Sequence, residues 1–225
     1  GGMNWNDSLY WYWRERGGEF FVSTAQKDSG ILFLDMPHGP ALIQCEPISA
    51  YNGQRRREIA VTLRTSLEQP YYLTVRKESF PREGRDRAPE IRSEQDDGVP
   101  ALTARRSVRT SDPERTPYLL RNRRLQEILH AEPGAWLQIS PMQTGTLEHL
   151  VSARKDAEDL EESVDSKGRA AGRDEPNQRK LYVESGFREQ MDDLVELVQT
   201  ARDQVNLWPR QKQAAGDRKK KEEDP

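Results

Sequence analysis

The sequence predicts an α+β fold: an antiparallel sheet from the N-terminal half, extended by later strands and covered by two to three helices. Three observations lead there. Residues 18–76 hold short runs in which apolar residues tend to alternate, separated by Gly, Asn, Asp and Pro. The pattern changes at Ser111-Asp112-Pro113-Glu114, where a capping side chain, an early proline and a first-turn acid announce a helix. Phe187, Met191, Leu194, Val195, Val198, Ala201 and Val205 then form one stripe at helical spacing. Strand runs followed by helices, without strict alternation, indicate α+β.

The elements follow in order. WNDSLYWYWRER (5–16) crowds Trp5, Tyr10, Trp11, Tyr12 and Trp13 together before Gly17-Gly18. It reads as a short helix over 7–16 capped by Asn6, Asp7 or Ser8, with a strand as the alternative. GEFFVSTA (18–25), GILFLDM (30–36), ALIQCEPI (41–48), residues 58–65 and residues 71–76 read as the strands of a meander. Ile59, Val61 and Leu63 share one face, as do Tyr71, Leu73 and Val75, so one side of the sheet covers a core and the other meets water. Residues 79–98 are polar with Pro81 and Pro89, which predicts a flexible loop with a short strand near Ile91. RRSVRT (105–110) is the next strand.

Leu119 and Leu120 belong to the first helical piece after Ser111. Asn122 caps a second piece, in which Leu125, Ile128 and Leu129 keep the i, i+3, i+4 spacing up to Glu132-Pro133-Gly134. AWLQI (135–139) and TLEHLVSA (146–153) form a strand pair. Residues 156–180 are acidic, then polar, and read as a second flexible stretch; Leu181-Tyr182-Val183 completes a strand. Ser185 caps the final helix, which ends near Leu207-Trp208-Pro209. Residues 209–225 read as a disordered charged tail. The expectation is one domain over residues 3–208, Gly1-Gly2 reading as the scar of a removed tag.

The chain has 225 residues, 34% hydrophobic and 32% charged, with a net charge of −3. No apolar run reaches the roughly 18–20 residues of a membrane-spanning helix, and no signal-peptide pattern is visible. One cysteine, Cys45, excludes an intramolecular disulfide and suits a reducing, cytoplasmic compartment. The charge is unevenly spread. Between Arg55 and Arg124, 17 Lys and Arg face 11 Asp and Glu, while the remainder carries 18 against 27. Such asymmetry offers a basic face to anionic partners, or simply coats strands and loops with arginine.

No catalytic motif emerges: a G-x-S-x-G elbow, a P-loop and G-x-G-x-x-G are all missing. Cys45 lies in an apolar run and reads as a buried, inert thiol. His38, His130 and His149 have no ligand spacing with one another or with Cys45, so neither a metal nor a cofactor is expected. The acidic run 156–165 lacks the EF-hand order. Two weaker binding signals remain. Arg55, Arg56 and Arg57, with Arg105, Arg106, Arg121, Arg123 and Arg124, are of a kind that contacts phosphate, but no RNP-like motif or recognition helix accompanies them, which argues against nucleic acid. Trp11 and Trp13 suit a membrane surface, or pack onto the sheet or into a partner's groove.

From Val99 onward the chain resembles uncharacterised bacterial domains of unknown function, often attached to membrane helices. The stretches that carry the resemblance are VPALTARRSVRTSDPERTPYLLRNRRLQEILHAEPGAWLQI and LYVESGFREQMDDLVELVQTA. The resemblance implies a strand leading into a helix start, a leucine-rich helix, a strand pair and a terminal amphipathic helix. The polar stretch 166–180 is a departure from it. The functional expectation is a non-enzymatic binding or scaffold protein acting on a protein partner or a second copy of itself. A peripheral membrane protein and an enzyme with a dispersed site are the alternatives.

Overall fold

A computed structural model of the chain describes residues 4–49, 53, 55–77, 90–91, 106–159 and 175–222, with backbone alone for residues 49, 55, 90–91 and 209–222. Its strands are β1 (Glu19–Phe21), β2 (Ile31–Leu34), β3 (Ala41–Ser49), β4 (Arg55–Ser66), β5 (Leu73–Lys77), β6 (Glu90–Ile91), β7 (Arg106–Thr110), β8 (Trp136–Pro141) and β9 (Glu148–Asp156). The helices are α1 (Trp5–Arg16), α2 (Thr116–Leu120), α3 (Arg123–Ala131), α4 (Glu175–Ser185) and α5 (Phe187–Glu222). The strands make one nine-stranded sheet in the order β1-β2-β3-β4-β9-β8-β5-β7-β6. Every pairing is antiparallel.

The alternation read from the sequence becomes a single apolar row across that sheet. In register, Phe20, Leu32, Ile43, Val61, Ala153, Leu137, Val75, Val108 and Ile91 run strand to strand. The members from Leu32 to Val108 are completely buried. A helical layer covers this face: α5 lies on β4 and β9 and beside α3, and α1 lies on β1 and β2. The whole stripe from Phe187 to Val205 is buried, as its period requires. Phe187 sits among Trp5, Tyr12 and Tyr182, with ring centroids 5.8–6.1 Å away.

The aromatic N-terminus is a helix and not a strand, and it begins earlier than its capping letters suggest. Asn4 is the cap, its side chain accepting from the Asp7 amide at 2.9 Å. Asn6 instead reaches across to accept from the Gly30 amide at 2.7 Å. Gly17, at φ 78°, closes the helix. The break expected at Asn122 is present, with its side chain accepting from the Leu125 amide at 2.9 Å. The preceding helix starts at Thr116, not at Pro113, because Asp112 first holds a turn by accepting from the Arg115 amide.

Two expectations are corrected. Leu181-Tyr182-Val183 is not a strand but part of α4. Tyr182 points into the aromatic cluster. The Ser185 hydroxyl donates to the Tyr182 carbonyl and accepts from the Phe187 amide, so Gly186, at φ 76°, turns one helix into the next. Where a disordered tail was expected, α5 continues past Pro209 to Glu222. Proline forfeits one backbone bond there, while the Lys, Gln, Ala, Arg and Glu that follow are strong helix formers. The short strand near Ile91 exists as β6. The rest of the loop expected at 79–98 and residues 160–174 lie outside the described residues.

Candidate functional site

The face of the sheet opposite the helical layer carries no described helix, and its residues lie in two rows. One runs Phe33, Leu42, Thr62, Ser152, Gln138, Thr74, Arg109. The other runs Phe21, Ile31, Gln44, Ala60, Arg154, Trp136. Phe21 and Phe33 meet edge to face at 6.0 Å and are 54% and 37% exposed, an open aromatic end on a face that mixes Ile31, Leu42, Ala60 and Trp136 with hydroxyl, amide and guanidinium groups. The strand pleat alone produces this, since each residue beside an apolar core position points the other way.

At the far end the polar groups are locked together. The Arg76 guanidinium lies 3.9 Å from the centre of the Trp136 ring, and that of Arg154 lies 5.7 Å away. The Trp136 indole N–H donates to Glu58 at 3.1 Å. Nη1 of Arg154 donates to Glu46 at 2.8 Å and to Glu58 at 3.2 Å. Glu46 and Glu58 stand directly opposite across β3 and β4, an arrangement that repels unless a cation bridges it. Arg154 is that cation. Burial raises the Glu58 carboxyl above its usual range, against the opposing pull of Trp136 and Arg154. Cation–π contact of this kind contributes about 0.5–2 kcal/mol. Trp136 itself is buried, and the two half-buried guanidiniums lie against its ring.

The residues singled out from the sequence go elsewhere: Trp11 and Arg106 are buried, while Arg56, Arg123 and Arg124 stay exposed. Trp11 is buried, and Trp13 stacks on Phe20 at 5.5 Å while its N–H donates to the Gly18 carbonyl at 3.0 Å. Arg55 is described by backbone alone, and Arg105 lies outside the described residues. Arg56 is exposed on β4, and Arg57 pairs with Asp28 at 2.5 Å. Arg106 is buried among carbonyls at the end of α3. Arg123 pairs with Glu127, and Arg124 grips Glu196 with both Nε and Nη2 at 2.6 Å. These arginines do not converge on one surface. Glu46, Glu58, Arg76, Trp136 and Arg154 were missed. Each stands in the outward phase of its strand, a signal present in the sequence, but only the register brings them together.

The other polar candidates are equally committed. His149 is buried on the core face, its Nδ1–H directed at the Leu147 carbonyl and Nε2 accepting from the Tyr71 amide at 2.9 Å. That leaves neither ring nitrogen for a metal. Among the described residues no three His, Cys, Asp or Glu side chains group as a metal site. Cys45 is half-buried against the core. A cleft of about 30 Å³ opens between Tyr71, Trp208, Asp112 and Arg115, far from the Trp136 cluster in the register. Among the described residues no helix is long and apolar enough to cross a membrane. Compared with known proteins, the chain matches no family model, no curated protein and no solved structure.

Proposed function

We propose that this chain is a non-enzymatic binding or scaffold protein that presents the helix-free face of its sheet to a protein partner. The observation that carries this reading is the pair of rows leading from exposed Phe21 and Phe33 to the Arg76–Trp136–Arg154 stack. Aromatic residues and arginine are the types enriched at the energetic centres of protein interfaces. Here they lie on a rigid sheet, so ordering them on binding costs little entropy. A membrane role through Trp11 and Trp13 finds no such support, because Trp11 lies in the protein's own core and Trp13 packs against it.

The test is affinity capture from lysate of the source cells, followed by sedimentation of the purified protein. Immobilised wild type, Phe21→Ser/Phe33→Ser and Arg123→Glu are compared, the last altering an exposed residue on α3. A protein held by wild type and Arg123→Glu but lost from the double variant is the expected result. If wild type self-associates and the double variant does not, the partner is a second copy. Identical capture by all three, with all three monomeric, rejects the sheet face as the binding surface.

A further inference from the structure

On the helix-free face one guanidinium is held in place and left without an anion. Arg76 follows Val75 on β5, whose partner on β8 is Leu137, so Arg76 comes to lie beside Trp136. Its guanidinium sits 3.9 Å from the centre of the Trp136 ring, and that ring is itself fixed by its N–H bond to Glu58. Arg154, the second cation on the ring, is already engaged, since its Nη1 serves both Glu46 and Glu58. Arg76 differs from it. Among the described residues nothing accepts from its terminal nitrogens, and its buried Nε meets no acceptor either. A flat fork pinned against a ring, with donors to give, loses little freedom when it takes an oxyanion in bidentate fashion.

The surroundings decide which oxyanion. Glu46 and Glu58 stand opposite each other beside the stack, and Asp156 is directly opposite Glu58 on β9. Three acids at this end of the face repel a doubly charged phosphate, and a nucleic-acid backbone more so. A carboxylate brings a single charge and fits the fork. We infer that Arg76 determines the specificity of the sheet face by taking an aspartate or glutamate side chain of the protein partner. This rests on the sheet-face reading and names what the partner brings to it. Five strand spacings of about 4.8 Å separate Phe33 on β2 from Arg76 on β5, roughly 24 Å in all. An apolar side chain on the phenylalanines and a carboxylate on Arg76 are thus two anchors of one segment, a span that about eight extended residues cover.

Random 12-residue peptides displayed on phage are selected on wild type, and the enriched peptide is synthesised and titrated by calorimetry. The expected peptide carries a recurrent Asp or Glu, and Arg76→Gln weakens its binding by about tenfold or more. Arg76→Lys, which keeps the charge without the fork, does not restore it. Exchanging the acid of the peptide for its amide weakens binding to wild type by a similar factor and adds little on top of Arg76→Gln. Exchanging it for phosphoserine also weakens binding. A peptide lost from Phe21→Ser/Phe33→Ser that has no recurrent acid, or that ignores Arg76→Gln, overturns the carboxylate contact and leaves the sheet-face reading standing. Enriched peptides indifferent to both sets of variants, or no enrichment at all, overturn both. If Arg76→Gln does not fold, Arg76→Lys and the amide and phosphoserine peptides against wild type decide the matter.

Discussion

The guanidinium of Arg106 ends inside the protein, against the carbonyls left over where α3 stops. Nη1 donates to Ala135, and Nη2 donates to Leu129 at 2.8 Å and to Glu132 at 3.0 Å. Burial lowers its pKa to about 10, so it stays charged at neutral pH, and its flat fork serves several carbonyls at once. A lysine has no such fork. Arg106→Lys is expected to destabilise the fold by about 2 kcal/mol, and Arg106→Met, which leaves the carbonyls unpaired, by about 3 kcal/mol. Urea unfolding measures both, and a wild-type midpoint for Arg106→Lys would mean that the fork is dispensable. In RRSVRT the in-phase partners of Arg106 are Val108 and Thr110, both buried, so its inward direction was legible from the alternation. A count of basic residues weighs every arginine as surface and overlooks that phase.

At the scale of elements, local chemistry was legible wherever a cap or a period decides the structure. The Asn122 break and the α5 stripe are local facts, and both hold. The assignment of 181–183 failed because three apolar letters fit a strand or a helix equally well. The choice fell to Phe187 and Trp5, which reward Tyr182 only if it lies on a helix. The corner between α1 and β1 shows the same dependence on distant partners. Gly18 has φ 93°, and a Cβ there would run into the Phe33 carbonyl of the neighbouring strand. Both effects penalise any side chain, so Gly18→Ala is expected to cost more than about 2 kcal/mol. Gly17, at φ 78° with open space around it, bears only the backbone strain, and Gly17→Ala should cost about 1 kcal/mol. Thermal unfolding of the two variants checks the order, and the reverse order would refute the close approach.

For the molecule as a whole, the strand order matters more than any single contact. β9 is the ninth strand in sequence yet lies fifth in the sheet, joining β1–β4 to β8, β5, β7 and β6. Its pairing with β4 sets Val61 beside Ala153, and its pairing with β8 places Trp136 beside Arg154. The Trp136 cluster on the proposed binding face therefore depends on contacts between residues far apart in sequence, which periodicity does not reveal. That is why the strands of the site were legible and the site was not. The uneven charge seen along the sequence is likewise dispersed by the topology: Arg56 and Arg76 point away from the helices, whereas Arg106 points towards them. If β9 is the joint, neither half of the sheet should hold without it. Val151 is completely buried at its centre, so Val151→Asp places an unpaired carboxylate in the core at a cost of about 4 kcal/mol or more. Tryptophan fluorescence from the α1 end, read in a Trp136→Phe/Trp208→Phe background, should then be lost together with far-ultraviolet dichroism in one transition. The wild type should likewise unfold as one cooperative unit. A variant that keeps the α1 aromatic cluster folded while the rest of the sheet melts would show instead that the chain holds two units, with β9 merely laid between them.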